Sequence, residues 1–248
     1  MYEIFGLRFR IYTLVSLSYT VFMKLDNPLV IIPVHNEEKL LGGVLKNILE
    51  LGVFDVLVID DGSCDGTYEV AKSYNVVVMR NDVNSGKGAA LKKGFDYALK
   101  NGYSSVITAD GDGQHKSEDL LTIYQAALKN NADIVIGNRM HHPSGMPRIR
   151  KVTNAVMSRL LSCLTKTEIP DSQCGLKLIK KKILKDINIS SSKFEVESEI
   201  LFQSLRKGYN VESVNISSIY FAGRKSHIRP LQDTIRFFRY LVKGFFYK

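Results

Sequence analysis

From Leu29 onward the chain alternates short apolar runs with longer stretches whose apolar residues recur at helical spacing. The apolar runs predict strands at Leu29–Pro33, Asp55–Asp60, Val76–Met79, Ser105–Ala109 and Asp133–Gly137. The stretches between them predict helices at Asn36–Leu51, Asp65–Ser73, Ala89–Lys100 and Glu118–Asn130. This alternation is typical of an α/β fold with a mainly parallel central sheet and helices on both faces. Ligands of such sheets bind beyond the carboxyl ends of the strands, so the polar residues after each strand are the candidates for a site.

The second half of the chain is less regular. It predicts helices at Val152–Leu164 and Phe194–Lys207, a strand near Val211–Ile216 and a basic loop at Gly223–Pro230. We see no linker, and therefore expect one compact domain at residues 29–230. An N-terminal extension or interfacial helix at residues 1–28 precedes it, and an amphipathic helix at residues 231–248 follows it.

The charge is distributed unevenly. Residues 1–138 carry 13 Lys/Arg and 17 Asp/Glu, a net charge of −4, whereas residues 139–248 carry 21 and 8, a net charge of +13. A basic half indicates an anionic partner, for which phosphate groups, a membrane surface and nucleic acid all qualify, although a solvated lysine surface is the alternative. Three cysteines without metal-ligand spacing argue against a disulfide framework or a zinc site and favour the reducing cytosol. The apolar run from Ile11 to Met23 is too short to span a membrane.

An acidic turn follows the predicted strand Ser105–Ala109. If the chain stays extended there, the side chains of Asp110, Asp112 and Gln114 share one face. Two carboxylates and a carboxamide are hard oxygen ligands suited to Mg²⁺ or Mn²⁺. The alternative is a Gly/Asp-rich turn without a metal, and His115 beside it fits a solvated residue better than a ligand.

Polar residues also follow the other strands. Asp60 and Asp61 stand at a strand end, where carboxylates suit a base edge or ribose hydroxyls, and Asp65 fits the N-cap of the next helix. Lys87 lies between two glycines at a helix start, where it can meet a phosphate, although the spacing matches neither a dinucleotide-binding motif nor a P-loop.

Together these motifs resemble the family-two glycosyltransferases. The matching stretches are Val30–Glu38, Val58–Thr67 and Asp110–His115, and the resemblance spans about Leu29 to Tyr240. The branch it is most similar to is the dolichyl-phosphate mannose and glucose synthases with their bacterial polyprenyl-phosphate relatives. Support for this branch comes from Asp171–Lys177, Phe194–Glu197 and Arg224–His227. Several of those relatives carry C-terminal transmembrane helices, for which this sequence shows no counterpart.

The resemblance implies a GT-A-like fold and a role for each matching residue. Pro33, Glu37 and Asp61 would line the nucleoside pocket, and Asp110, Asp112 and Gln114 would hold the metal and the diphosphate. Arg224 would approach phosphates and act with Asp112 in catalysis. The donor would be a nucleoside diphosphate sugar, GDP-mannose or a UDP-sugar.

The expected activity is inverting, metal-dependent transfer of a hexose to a polyprenyl phosphate, dolichyl or undecaprenyl. A lipid phosphate is largely ionised at neutral pH and needs no general base. The alternative acceptor is a saccharide hydroxyl in cell-envelope polysaccharide synthesis, which would need a base, and Glu197 is the candidate. A basic nucleotide- or RNA-binding module is the non-enzymatic alternative. It is disfavoured because aromatic residues cluster in the last helix in an amphipathic pattern, which favours a membrane, so we expect no nucleic-acid partner.

The predicted C-terminal helix is amphipathic. Its apolar stripe is Leu231, Ile235, Phe238, Val242 and Phe245, and its basic face is Arg236, Arg239 and Lys243. This pattern favours docking on an anionic membrane, with packing on the protein's own core as the alternative. The expected location is therefore cytoplasmic, peripheral on the cytosolic face of a membrane.

Overall fold

A computed structural model describes residues 28–220 together with Arg236 and Phe238. Its centre is a seven-stranded sheet with the order β3-β2-β1-β4-β6-β5-β7. The strands are β1 Pro28–Val34, β2 Asp55–Asp61, β3 Val77–Asn81, β4 Ser105–Thr108, β5 Ile134–Asn138, β6 Lys177–Lys180 and β7 Val211–Asn215. The helices are α1 Glu38–Glu50, α2 Thr67–Lys72, α3 Lys87–Lys100, α4 Ser117–Asn130, α5 Arg148–Thr165, α6 Lys181–Asp186 and α7 Val196–Arg206.

Helices cover both faces of the sheet, as the alternating pattern predicts. Leu29 and Ile31 of β1 point into a core shared with α3, α5, α6 and α7. Val30 and Ile32 of the same strand point into a second core shared with α1, α2 and α4. Because β1 is buried on both sides, its sequence is an unbroken apolar run rather than an alternating one.

The predicted α/β fold is confirmed, with one addition that the sequence pattern did not indicate. Strand β6 lies between β4 and β5 and runs antiparallel to both, so the sheet is mixed. The run Lys177–Lys180 has only four residues and begins and ends with lysine, so its sequence does not predict a buried strand. The side chain of Lys177 is nonetheless fully buried, because it is paired with Glu197.

Strand order determines where a ligand can bind. β1 pairs in parallel with β2 on one side and with β4 on the other, so the chain reverses its direction of travel across the sheet at β1. In parallel sheets such a switch point opens a crevice at the carboxyl ends of the two strands that flank it. The residues after β1 and β4 therefore line this crevice.

Some predictions lie outside the described residues. These are the N-terminal segment up to residue 27, the loop Gly223–Pro230 with Arg224, and the helix at residues 231–248 apart from Arg236 and Phe238, both of which are helical. Within the described part of the chain, no helix is long and apolar enough to cross a membrane.

Candidate active site

The turns after β1 and β2 are joined by direct hydrogen bonds. The backbone N–H of Asn36 donates to Ser63 Oγ at 2.9 Å, and the side-chain oxygen of Asn36 accepts from the N–H of Cys64 at 2.9 Å. Asn36 has a φ of 56°, a left-handed conformation that asparagine tolerates better than most residues. It therefore joins two turns and does not cap α1, which starts after Glu37 without a side-chain cap.

The starts of α1 and α2 stabilise each other in a similar way. Asp65 accepts hydrogen bonds from the N–H groups of Thr67 and Glu38, and the carboxylate of Glu38 accepts one from the N–H of Gly66. Free N–H groups at two helix starts thus find carboxylate acceptors, as capping requires. The prediction that Asp65 is the N-cap of α2 is wrong, because Gly66 occupies that position, but the Asp65 carboxylate still accepts the N–H of Thr67 in the first turn.

Asp61 uses both carboxylate oxygens within the protein. Oδ1 accepts from Asn81 Nδ2 at 2.8 Å and from the N–H of Ser85 at 3.0 Å, while Oδ2 accepts from the N–H of Gly86 at 2.6 Å. The residue is 4% exposed. Asp61 therefore shapes the loop before α3, and an effect on nucleoside binding can arise through that loop.

Asp60 is fully buried and is also occupied by protein groups. Its Oδ1 accepts the N–H of Ser63 at 3.1 Å, and its Oδ2 lies 3.1 Å from Arg80 Nε. The sequence predicts that Asp60 contacts the nucleotide sugar. In the structure its carboxylate is fully buried and bound by protein groups, which favours a structural role.

The acidic turn after β4 does not have the extended form assumed from the sequence. β4 ends at Thr108, and a turn with Gly113 at φ 70° follows. The alternation that would align Asp110, Asp112 and Gln114 is therefore wrong. Within this turn the backbone N–H of Gln114 donates to Asp112 Oδ1 at 3.0 Å.

Two glycines make room for this turn. A Cβ on Gly111 would lie 2.4 Å from Val34 Cγ1, so only glycine lets the turn pack against the end of β1. A Cβ on Gly175 would lie 2.2 Å from Asp110 Oδ2, so the chain before β6 forms a close-fitting cradle for this carboxylate. Both contacts place Asp110 at the β1/β4 switch point.

A chain of alternating charges runs inward from Asp110. Lys87 Nζ lies 2.6 Å from Asp110 Oδ1 and 2.7 Å from Glu197 Oε1, and the other oxygen of Glu197 is bound by the buried ammonium of Lys177. Lys177 also donates to the carbonyl oxygen of Cys174. Four charged side chains from four elements thus neutralise one another in the protein interior, as buried charges must.

These contacts decide which groups are ionised. Burial by itself would raise the pKa of Asp110, but the Lys87 ammonium outweighs burial and holds that pKa well below its usual range. Burial would likewise raise the pKa of Glu197, and Lys177 and Lys87 together lower it. For Lys87 burial would lower the pKa, and the two carboxylates raise it. All three groups therefore remain charged at neutral pH.

Glu197 is consequently a poor general base. A base needs a pKa near the working pH and a free oxygen, whereas both oxygens of Glu197 are bound by ammonium groups and its pKa is lowered. A glutamate in the first turn of a helix is usually exposed, but Glu197 is only 2% exposed and is buried at the start of α7.

The start of α3 is closed by protein groups. The N–H of Gly88 donates to the carbonyl oxygen of Ser192 at 2.9 Å, and a Cβ on Gly88 would lie 2.2 Å from the carbonyl oxygen of Ser191. Glu199, fully buried in α7, holds this segment by accepting the N–H groups of Ser190 and Ser191. A phosphate at this helix start would therefore interact with the Lys87 side chain and not with these amides.

A second buried ion pair stands on the other side of β6. Arg139 and Asp171 form a two-point interaction with Nε–Oδ2 at 2.7 Å and Nη2–Oδ1 at 2.9 Å, and Asn154 Nδ2 donates to Oδ1 at 2.7 Å. Burial would raise the pKa of Asp171, but Arg139 and these hydrogen bonds lower it to about 2. Asp171 lies in the stretch Asp171–Lys177 that resembles the family, but no local sequence pattern indicates Arg139 as its ion-pair partner.

Arg150, at the start of α5, brings positive charge towards the acidic turn. Burial and the charge of Arg139 lower its pKa, while Tyr220, Asp110 and Asp112 act in the opposite direction. Arginine stays protonated in either case. The Arg150 guanidinium also lies 5.9 Å from the centre of the Tyr220 ring. Spacing alone gave no signal for this residue.

The sequence predicts a metal site in the acidic turn. Within the described residues, no group of three or more His, Cys, Asp and Glu side chains is placed to hold a metal ion. His115 is 4% exposed at its side chain, with Nε2 3.8 Å from Asp110 Oδ2, so it is not the solvated residue that its position indicated. The assignment of Asp110, Asp112 and Gln114 as ligands of Mg²⁺ or Mn²⁺ therefore stays a prediction, based on the type of their oxygen atoms.

Glycosyltransferases are among the known proteins that are similar to this chain in sequence. The family model described as glycosyl transferase family 2 matches residues 29–188. A UDP-N-acetylglucosamine–dolichyl-phosphate N-acetylglucosaminyltransferase of Methanococcus voltae is 29% identical over 212 residues, covering 77% of this chain and 84% of that protein. A polyprenol monophosphomannose synthase of Mycolicibacterium smegmatis is 30% identical over 203 residues, covering 76% of each.

The solved structures add a likeness of fold. A glucosyl-3-phosphoglycerate synthase from Mycobacterium tuberculosis, crystallised with Mn²⁺, UDP and glucosyl-3-phosphoglycerate, matches with a TM-score of 0.71 at 17% identity. The match covers 90% of this chain and 83% of that one. At this identity the likeness establishes the shared architecture.

Proposed function

Because the chain belongs to glycosyl transferase family 2, we propose that it transfers a hexose from a nucleoside diphosphate sugar to a polyprenyl phosphate, with inversion at the anomeric carbon. The observation that carries this proposal is the ionised acidic turn Asp110–Gln114 at the β1/β4 switch point, next to Lys87 and Arg150. The names of the dolichyl-phosphate and polyprenol relatives support the choice of acceptor class.

The nucleoside belongs in the crevice between the turns after β1 and β2. Pro33 is half-buried near the end of β1, and Glu37 follows in the turn that Asn36 and Ser63 hold in place. These residues would line the base pocket, with Asp61 acting through the loop before α3. A UDP- or GDP-sugar fits this assignment, and the bound UDP of the M. tuberculosis synthase favours testing uridine first.

A divalent metal fits the acidic turn. The Asp110 carboxylate packs closely against Gly175, where a Cβ would lie 2.2 Å from Oδ2. This ionised carboxylate, the Asp112 carboxylate and the Gln114 carboxamide would provide hard oxygen ligands. When bound, Mg²⁺ or Mn²⁺ would neutralise negative charge on the leaving diphosphate. Lys87 keeps Asp110 ionised, and so maintains the ligand set over a wide pH range.

The acceptor phosphate needs no base from the protein. In the proposed step a phosphate oxygen forms a bond to the anomeric carbon, the bond from that carbon to the diphosphate breaks, and the electron pair leaves with the nucleoside diphosphate. Arg150 is positioned to attract the acceptor phosphate, with Arg224 as a second cation expected from the sequence. A saccharide hydroxyl would need a base, and the salt bridges of Glu197 make it unsuitable.

The location follows from the acceptor. A polyprenyl phosphate is reached at a bilayer surface, so the enzyme would act as a peripheral protein on the cytosolic face of a membrane. The net charge of +13 in residues 139–248 favours an anionic surface.

The test is transfer of radiolabelled sugar into organic-extractable lipid. Purified protein is incubated with UDP- or GDP-sugars, Mg²⁺ or Mn²⁺, and either undecaprenyl or dolichyl phosphate in detergent. We expect labelled product with a lipid phosphate and none with the corresponding free polyprenol. Label that goes only to a free saccharide acceptor would overturn the proposed acceptor, and Asp112→Asn serves as the inactive control.

A further inference from the structure

Helix α5 has an apolar face that points away from the core. Ile149, Val152 and Val156 are 53%, 61% and 50% exposed, and the exposed Cys163 continues the same face at helical spacing. The opposite face is buried through Asn154, Met157, Ser158 and Leu161. An amphipathic helix that buries one side and presents a second apolar stripe outward has surface left for another partner.

The charges around this stripe indicate what kind of partner fits. Helix α5 contains Arg148, Arg150, Lys151 and Arg159, and contains no Asp or Glu. Of these four cations Arg148, Lys151 and Arg159 are exposed. Exposed apolar side chains whose charged neighbours along the helix are all cations match the interface of an anionic bilayer, where acyl chains and headgroups bind the two kinds of residue. The same charges disfavour a second copy of this face, since like charges would meet.

The C-terminal segment of the chain is disfavoured as the occupant for the same reason. Residues 231–248 carry four Lys/Arg and one Asp, so they would bring further positive charge against α5. Two basic surfaces on one molecule are compatible if both face the same anionic membrane.

The stripe is continuous with the proposed site. Arg150, in the first turn of α5, interacts electrostatically with Asp110 and Asp112 and stacks near Tyr220. The neighbouring Ile219 is 39% exposed, and its N–H donates to the carbonyl oxygen of Gln114 in the acidic turn. Ile149, the first residue of the stripe, thus directly precedes an arginine whose charge reaches the acidic turn.

We propose that the outward face of α5, formed by Ile149, Val152, Val156 and Cys163, docks on an anionic bilayer and holds the acidic turn at the lipid surface. This inference rests on the proposed function for its purpose, but its physical basis is the exposed stripe and its cationic flanks. It assigns membrane contact to α5 in addition to the segment at residues 231–248.

Two native cysteines allow a site-specific test. Cys163 is exposed on the outward face of α5, whereas Cys64 is exposed in the turn after β2, and Cys174 is buried. An environment-sensitive fluorophore is attached to Cys163 in a Cys64→Ser full chain and to Cys64 in a Cys163→Ser full chain. Each is mixed with vesicles of phosphatidylcholine alone, and with vesicles that also contain phosphatidylglycerol, without polyprenyl phosphate.

We expect the emission of the Cys163 probe to shift to the blue with anionic vesicles only, and the Cys64 probe to stay unchanged. Val152→Ser with Val156→Ser should weaken vesicle binding at least about tenfold, because buried apolar area is lost. The matched control is Val77→Ser, an exposed valine on β3 at the far edge of the sheet, which should bind as wild type does.

Other outcomes overturn the proposal. Vesicle binding without a shift at Cys163 would place the contact elsewhere on the chain. A blue-shifted Cys163 probe before vesicles are added would show that protein covers the stripe, and light scattering would then identify a dimer if a second copy does so. If the Val152→Ser/Val156→Ser variant still transfers sugar to the lipid phosphate, and the emission of the Cys163 probe does not shift with vesicles, the docking face is rejected and the proposed function stands. A Cys163 shift without any sugar transfer would reject the proposed function alone.

Discussion

The Lys87 ammonium lies 2.6 Å from Oδ1 of Asp110 and so joins the first turn of α3 to the acidic turn after β4. Asp110 stands at the switch point of the sheet, where burial would otherwise favour its protonated form. The lysine keeps the carboxylate charged, and Glu197 behind it balances the lysine. The carboxylate that we propose as a metal ligand is thus kept charged by a buried ammonium group, and each partner can be tested.

Removing the charge of Asp112 should abolish sugar transfer without unfolding the protein. Asp112 lies in a turn whose backbone it helps to hold through Gln114, and asparagine can still accept that hydrogen bond. We expect Asp112→Asn to lower kcat at least about 100-fold, the scale for losing a key electrostatic group. Asp96→Asn, an exposed change on α3, is the matched control. Full activity of Asp112→Asn, or of wild type in excess chelator, would contradict metal dependence.

The Glu197→Gln variant should show whether Glu197 stabilises the fold or acts as a general base in sugar transfer. The change leaves Lys87 and Lys177 without their shared carboxylate, so the free energy of unfolding should fall by about 3–5 kcal/mol. Transfer by the folded fraction should keep the wild-type pH profile. If Glu197 were instead a general base, the transfer rate of the folded protein would fall about 10²–10⁴-fold, and the decrease of the rate at acidic pH would disappear from the profile. Glu168→Gln, at an exposed loop position, controls for the loss of one charge.

Asp61→Ala should weaken binding of the nucleoside diphosphate, measured by calorimetry. The physical reason is the collapse of the loop before α3, because three hydrogen-bond donors lose their acceptor. Asn81→Ala removes one of these donors and leaves the carboxylate in place, so a smaller loss in the same direction is expected. If Asp61→Ala weakens binding and Asn81→Ala does not, direct contact between Asp61 and the nucleoside becomes the better explanation.

Gly175→Ala should impair the acidic turn by steric conflict alone. The new Cβ would lie 2.2 Å from Asp110 Oδ2, and Asp110 cannot withdraw without breaking its contact with Lys87. We expect transfer to fall at least about tenfold, since a misplacement of about 1 Å at a reacting centre can cost about 100-fold. Gly43→Ala in α1 meets no atom within 4 Å and should stabilise the helix slightly, by about 0.5–1 kcal/mol. Equal activity of both variants would show that the Asp110 position is unimportant.

The buried pair Arg139–Asp171 should make stability depend on acidity. The pKa of Asp171 is lowered to about 2 in the folded chain, so its contribution is present above the unfolded value near 4 and is lost as pH falls from about 4 to about 2. Asp171→Asn leaves Arg139 buried without a counter-charge and should cost about 3–5 kcal/mol at neutral pH, measured by urea unfolding. Asp186→Asn, at an exposed ion pair, should leave the unfolding midpoint nearly unchanged. A wild-type acid transition that Asp171→Asn does not alter would contradict this assignment.

The sequence by itself determined the elements that repeat and the turns that carry chemistry. Strands from β1 to β5 and the helices between them follow from periodicity, because a strand buried on both faces must be apolar along its whole length. The acidic turn is visible for a similar reason, since Asp and Gly directly after a buried strand mark a polar turn at the edge of the sheet where ligands bind. These features are local, and each can be read within about ten residues.

Only the tertiary structure decided which charges meet. Lys87, Glu197 and Lys177 are far apart in sequence and show no spacing that links them, and the two lysines in β6 concealed a strand at the centre of the sheet. The same holds for Glu197, whose sequence position indicated a helix surface while folding placed it between two ammonium groups. A charge can be buried only if its partner arrives with it, and that partner is chosen by the packing of distant elements rather than by local pattern.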